Sequence, residues 1–393
     1  MPAQNPGSES RARFPDAMAA PGHHRVDEVM LFLDLVYVFA VTGISGVLQD
    51  GGAVAVQRGV ILLAVVYWLW CITSIQVSMR DASTDRNRLV VMLIALVSLV
   101  MAISVPHAFG RSALSFALSC WAARALIEFG LVRSTWRVFL PGLVGVVLTG
   151  PLLTAGALLG GRRQLLVWSI AALVEFASPM LLRPRMRVAR YDTENVVERF
   201  GLLVIIALGE TLVGIGEPFS ELEHVSWQES VALVAAFVLV AGLWWSYFHH
   251  SSGLVLRRLE TIDTPFDVVR ELLVYGHLFF VGGIIAVAAS LHLVLEDAAE
   301  PAGWFAASLL CIGTVAFLVV FLLVRLRSFR RLYRSRLAGT IVSAVLVVPC
   351  ATLLPGWAAL SAVALAVLAV AMWETLAPIP AGVPQADEFV ADE

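Results

Sequence analysis

Apolar residues arrive in long blocks separated by short polar breaks, and each block has about the length a membrane requires. Runs with few charges lie near 29–49, 58–79, 89–105, 113–132, 138–159, 165–182, 200–216, 230–248, 272–295, 304–324, 338–354 and 357–376. About 20 apolar residues in an α-helix span the hydrocarbon core of a bilayer. A helix also satisfies its own backbone groups where no water can reach them. The pattern therefore predicts an all-α, polytopic membrane bundle of twelve transmembrane helices, the last two separated only by Pro355-Gly356.

Composition agrees with the pattern. Hydrophobic residues make up 59% of the chain and charged residues 15%, against about 25% charged in an average soluble domain. The net charge of −3 argues against a nucleic-acid partner, and the distribution of charge says more than its sum. All 27 basic residues are arginines, and 22 of them fall in the N-terminal stretch or in the breaks after blocks 2, 4, 6, 8 and 10. Only four fall in the alternate breaks, so the positive-inside rule predicts both termini in the cytoplasm and a multi-pass protein of the cell membrane. The opposite face is acidic, with Glu217, Glu221, Glu223 and Glu229 in one break and Glu296, Asp297 and Glu300 in another. Residues 1–24 read as a flexible cytoplasmic tail rather than a signal peptide, and 381–393 as an acidic cytoplasmic tail. The four cysteines all lie within apolar blocks without Cys-x-x-Cys spacing, which suits small core residues better than disulfides or metal ligands.

Landmarks of the first six blocks recur in order in the last six. Phe32 matches Phe200, the Tyr67-Trp68-Leu69-Trp70 cluster matches Trp244-Trp245-Ser246-Tyr247, His107 matches His292, and Glu175-x-x-x-Pro179 matches Glu374-x-x-x-Pro378. An even number of spans per unit implies two parallel six-helix repeats, 25–190 and 191–380, related about an axis along the membrane normal.

Ionisable residues inside the blocks are the candidates for chemistry. A charge near the centre of a membrane helix costs roughly 2.5–3.5 kcal/mol on insertion scales, so it normally meets a partner or a wet cavity. Asp34 begins a polar stripe, with Tyr37, Val41 and Ser45 following at the 3, 4, 4 steps of one helical face. Glu210 lies about 18 Å along a helix starting at Glu198 and has no basic residue within a turn, so it is either protonated or met by a cation from another helix. His277, beside Tyr275, lies about as deep as Asp34, at roughly 9 Å, which would let the two pair if their helices adjoin. Glu175 lies about 12 Å from the inner end of its block. Arg124 and Glu128 form an i,i+4 pair able to neutralise itself. No metal-ligand motif, phosphate loop, nucleotide fingerprint or nucleophile elbow is present, so no cofactor is implied.

Several of these residues carry a resemblance. Phe32-x-Asp34-Leu35-Val36-Tyr37-Val38-Phe39-Ala40, Glu198-Arg199-Phe200-Gly201 with Leu208-Gly209-Glu210, Trp244-Trp245-x-Tyr247-Phe248, and Tyr275-x-His277 with Gly283-Ile284 resemble the bacterial low temperature requirement protein A family. The resemblance covers the first nine blocks. Two positions depart from it: Met30 stands where the family usually has Glu, and His249 where it usually has Asp. The family name records a growth phenotype and implies no biochemical activity.

The leading expectation is a transporter or channel for a small ion or solute, coupled to protons, with Asp34, Tyr37, Glu175, Glu210, Tyr275 and His277 along the path. Its partners would be the lipid bilayer and the solute, with a homo-oligomer left open. One alternative is an intramembrane enzyme acting on a lipid or prenyl substrate, with Glu210 or Asp34 as general acid or base and His277 beside it. The other is a structural, stress-related membrane protein whose buried charges only fix helix packing. The transporter expectation requires the ionisable groups to converge on one polar void.

Overall fold

Each apolar block folds as helix. The computed structural model describes residues 28–78, 84–131, 142–182, 193–220, 224–249, 265–329 and 334–376. Helix α1 (Glu28–Gln49) turns into α2 (Gly52–Ser78) through Gly51 and Gly52, at φ 80° and 78°. That left-handed backbone is open to glycine at little cost, and it reverses the chain in two residues. Helix α3 (Asp85–Ser104) ends in a 3₁₀ turn, Val105–His107, and α4 (Ala113–Ala125) runs on as a π-helix, Leu126–Leu131. Helix α5 spans Gly142–Leu159 with a π-helical turn at Gly145–Thr149, and α6 is Gly161–Leu181.

The second six are α7 (Thr193–Ser220), α8 (Trp227–Phe248), α9 (Phe266–Leu295), α10 (Gly303–Phe329), α11 (Arg334–Thr352) and α12 (Gly356–Leu376). Helix α9 is π-helical over Val269–Gly276 before it settles into α-helix at His277. Ser226 and Glu229 close a capping box at the start of α8. Eleven of the helices are long and apolar enough to cross a membrane. The twelfth, α7, is 28 residues long and starts seven residues before the apolar run at 200. No strand occurs among the described residues; one isolated bridge joins Pro301 to Pro355, where the α9–α10 turn docks on the α11–α12 turn.

Several arginines assigned above to the breaks lie inside helices instead, and three of them, Arg199, Arg270 and Arg336, are buried, Arg336 completely. Each of the three meets a carboxylate: Asp34, Asp267 with Glu271, and Glu374. Setting them aside leaves 19 arginines against 4, so the charge asymmetry survives.

In the first six helices the principal neighbours are α1–α2, α1–α3, α3–α4, α4–α5, α5–α6 and α2–α6. The same pairs six places on, from α7–α8 through α8–α12, are principal neighbours in the second six. Helix α1 also touches α7 and α9 and so joins the two sets.

The tightest helix contact is between α9 and α10. A Cβ added at Gly283 would stand 2.6 Å from the Gly313 carbonyl oxygen and 3.2 Å from the Phe317 nitrogen, and one at Gly313 would stand 2.7 Å from the Gly283 oxygen. Such backbone approach is how membrane helices pack where lipid supplies no hydrophobic drive. Gly283→Leu should therefore lower stability in detergent by ~1–3 kcal/mol through overpacking. Gly46→Leu, at a lipid-facing site with nothing within 4 Å of its Cβ, should stay within about 0.5 kcal/mol. Thermal unfolding of the two variants makes the comparison, and equal midpoints would contradict the close contact.

Candidate functional site

One group of buried polar side chains lies where α1 meets α2, α7 and α9. Asp34 is 4% exposed and is bound on two sides. Arg199 of α7 donates to its Oδ1 at 2.9 Å, and the Trp70 indole N–H of α2 donates to the same oxygen at 2.8 Å. Arg199 also reaches the Met30 carbonyl at 3.5 Å. Charge and counter-charge thus enter the bundle together, on helices from the two sets of six.

Eight residues further along α1, Thr42 lies 2.5 Å from the Glu210 carboxylate of α7. No arginine among the described residues pairs with Glu210, and its partner is a hydroxyl. Thr42 Oγ1 is also 3.2 Å from the Val38 carbonyl. The hydroxyl can therefore donate to an ionised Glu210, or turn to Val38 and accept from a protonated one. Thr42 and Glu210 are 168 residues apart, the same offset that relates Phe32 to Phe200. The expected stripe on α1 is real, since Asp34, Tyr37 and Ser45 are all buried. The Tyr37 hydroxyl faces Ser98 of α3.

His277 does not pair with Asp34. Its ring meets the edge of Phe200 at 5.0 Å, and Phe200 in turn meets Trp70 at 5.2 Å, so two aromatic side chains stand between the histidine and the aspartate. His277 instead closes the π-helical turn of α9. Its Nδ1 lies 3.2 Å from the Leu272 carbonyl and its Nε2 2.7 Å from the Tyr247 hydroxyl. A carbonyl can only accept, so Nδ1 carries a proton, and in the neutral imidazole Nε2 accepts from the tyrosine hydroxyl. The Tyr67 hydroxyl serves the next two carbonyls, Leu273 at 3.1 Å and Val274 at 2.5 Å. π-Helical turns leave carbonyls misaligned, and these two side chains capture them.

Glu175 and Tyr275 lie apart from that cluster. Arg124 of α4 reaches across to Glu175 of α6 at 3.5 Å rather than serving only Glu128, and Thr149 of α5 lies 2.6 Å from the other Glu175 oxygen. Tyr275 donates to the Phe176 carbonyl at 2.7 Å. Glu374, which the sequence landmarks match to Glu175, receives Arg336 through two bonds of 2.6 and 2.7 Å.

The ionisable groups therefore do not meet in one void. A cavity of about 30 Å³ lies at Arg124 and Glu175, and an apolar groove of about 620 Å³ lies between α1, α2, α9 and α10. Neither is lined by Asp34, Glu210 or His277. Sequence reasoning found Asp34, Glu210 and His277 but assigned no role to their partners Arg199, Trp70, Thr42 and Tyr247. Arg199, Trp70 and Tyr247 stand in the motifs quoted above, and the Phe32–Phe200 offset maps Thr42 onto Glu210.

Removing one partner of a buried ion pair strands the other charge, so Arg199→Met should cost ~3–5 kcal/mol. Adding Asp34→Asn to Arg199→Met should recover part of that loss, because no charge then remains to be buried. Chemical denaturation of the single and double variants reads the coupling; strictly additive losses would show that the 2.9 Å contact carries no interaction energy.

Among curated proteins, an uncharacterized protein of Rhizobium meliloti (strain 1021) is 30% identical over 277 residues, which is 66% of each chain. The chain thus spans just under two thirds of that relative's length. No solved structure matches. Residues 25–372 match the family described as bacterial low temperature requirement A protein. A match over that much of the chain, a range that takes in the α1, α7, α8 and α9 residues of the central cluster, places this multi-pass membrane protein in the bacterial low temperature requirement A family.

Proposed function

We propose that the protein moves a small ion or solute across the bacterial cytoplasmic membrane in exchange or company with protons, and that the seam between α1 and α7 is its moving joint. The observation that carries this reading is the Thr42–Glu210 contact. It sets a 4% exposed carboxylate in the middle of a membrane helix against a hydroxyl rather than a cation. A proton can arrive there or leave without breaking an ion pair, and the Thr42 hydroxyl has a partner in either state. The matching neighbour pattern of the two sets of six helices supports a duplicated architecture, and equivalent positions of the two units meet at Thr42 and Glu210. A two-fold axis brings equivalent positions together in this way, and transporters built from parallel repeats place their sites at the repeat interface. The arginine asymmetry supports both termini on the cytoplasmic side.

With each group tied to its own neighbour, this conformation holds no polar void common to Asp34, Glu210 and His277 among the described cavities, so the reading requires a second conformation in which they share one. A path would open as α1 separates from α7, exchanging the Asp34–Arg199 and Thr42–Glu210 contacts for water on one side at a time. The lipid-enzyme alternative draws less support from the same geometry. The 620 Å³ groove is lined by residues such as Leu48, Val60, Phe279 and Trp304 and has no acid or histidine in its wall, so it offers a seat for an alkyl chain but no general acid or base.

Reconstituted into liposomes loaded with a pH-sensitive dye and given potassium, sodium and chloride gradients in turn, the wild-type chain should move protons against at least one of them. Glu210→Gln should bring that movement to background while the variant still inserts and folds. Equal proton movement in wild type, Glu210→Gln and Asp34→Asn would overturn the reading.

A further inference from the structure

The cavity at Arg124 and Glu175 is separate from the α1–α7 seam and is built differently. It is lined from α2 by Trp68, from α4 by Cys120, Trp121 and Arg124, from α5 by Thr149, and from α6 by Glu175. Its volume of about 30 Å³ exceeds the ~10–15 Å³ that one water needs. Glycines keep it open. A Cβ at Gly145 would lie 2.0 Å from the Arg124 guanidinium and one at Gly150 would lie 2.2 Å from the Trp121 ring.

The lining leaves donors unused. Arg124 Nε, Arg124 Nη1 and Trp68 Nε1 are all buried and find no hydrogen-bond partner among the described residues. Arg124 and Trp68 are 7% and 5% exposed. A buried donor without a partner is costly, so three among the residues lining one hole call for an acceptor inside it. The Glu175 carboxylate does not supply one, since it stands 3.5 Å from a different arginine nitrogen, Nη2. The pair matched to it in the second half is closer: Arg336 and Glu374 engage through bonds of 2.6 and 2.7 Å, the Ser246 carbonyl takes another at 3.2 Å, and the guanidinium lies over the Phe321 ring, with Nη1 the one nitrogen left without a partner among the described residues. Arg124 stands 3.5 Å from Glu175 with two nitrogens left over and a cavity beside them, which is space for a guest.

We propose that this cavity is a proton-coupled site for a small monovalent anion of halide size, held by Arg124 and Trp68 once Glu175 has taken up a proton. The exchange balances. A proton from water binds the Glu175 carboxylate and turns it into a neutral acid, its ion pair with Arg124 breaks, and the anion takes the vacated side of the guanidinium, so the charge of the site is unchanged. Thr149 makes the switch inexpensive. Its hydroxyl lies 2.6 Å from Glu175 Oε1 and 3.0 Å from the Gly145 carbonyl, so it donates to the carboxylate before protonation and turns to Gly145 to accept from the acid afterwards. The other ionisable groups near Glu175 are Arg124, Cys120 and Glu128 on α4; Glu128 lies against Gly142 and does not line the cavity, and α2 contributes no charge to the lining. This site does not depend on the reading of the α1–α7 seam.

Equilibrium binding of radiolabelled chloride to the purified full chain in detergent, with gluconate as the balancing anion, tests it. Wild type should show one saturable site, at least about tenfold tighter at about pH 5.5 than at about pH 7.5, the equivalent of a one-unit proton linkage. Glu175→Gln, neutral at both pH values, should bind equally well at both. Trp68→Phe, which removes one donor, should weaken binding by about tenfold. Glu210→Gln should leave binding intact, which separates failure of this site from failure of the transport path. Chloride should also raise the thermal midpoint of wild type at the lower pH, a readout that needs no variant to fold. Absence of saturable binding and of any such shift would leave the donors to water and overturn the proposal, as would pH dependence that persists in Glu175→Gln.

Discussion

A carboxylate and a guanidinium that hydrocarbon would reject singly are admitted together, and the contact between Asp34 and Arg199 is the constraint on which the centre of the bundle depends. The two residues come from helices six spans apart and meet at 2.9 Å with each 4% exposed. Neither helix can drift from the other without stranding a charge, so α1 and α7 must adjoin. Trp70 extends the constraint to α2 through its indole N–H, and the edge contacts from Trp70 to Phe200 and from Phe200 to His277 carry it to α9. The aromatic and ionic contacts thus form one connected block at the meeting point of the two sets of six helices.

Around that fixed block lie acids of a second kind. Glu210 and Glu175 are each matched with a threonine hydroxyl, Thr42 or Thr149, that also reaches a carbonyl four residues back on its own helix. Such a hydroxyl keeps a partner whether the acid is charged or neutral, so protonation there exchanges one satisfied arrangement for another. Asp34 and Glu374 are held more firmly, by arginine at 2.9 and 2.6 Å. Glu210 is met by a hydroxyl, and Glu175 stands between the two cases, with Thr149 at 2.6 Å and Arg124 at 3.5 Å.

Much of this was legible in the amino-acid order, and the remainder has physical reasons for being hidden. Twelve apolar blocks gave twelve helices, and the 3, 4, 4 spacing on α1 marked a face that is buried at Asp34, Tyr37 and Ser45. Arg199 was hidden because it precedes the apolar run by one residue, where hydropathy reads loop; α7 begins back at Thr193 because buried carbonyl and carboxylate oxygens of α1 await the guanidinium. The role of His277 could not be read from depth alone, since side-chain periodicity does not distinguish a π-helical turn from an α-helical one, and the carbonyls of that turn claim the imidazole. Met30 illustrates a limit of resemblance. Its side chain replaces the carboxylate usual in the family, yet its backbone carbonyl still accepts from Arg199.

In the proposed transport cycle, α1 and α7 move apart and together as Glu210 gains and loses its proton. Spin labels placed at Gly46 on α1 and Gly216 on α7, both with open space around the Cβ position, report the width of the α1–α7 seam by pulsed dipolar spectroscopy in lipid nanodiscs. The account predicts two distance populations whose proportions change with pH in the wild-type background and stop changing in Glu210→Gln. A single narrow distribution, the same at every pH and in both backgrounds, would show that the seam is a fixed part of the core.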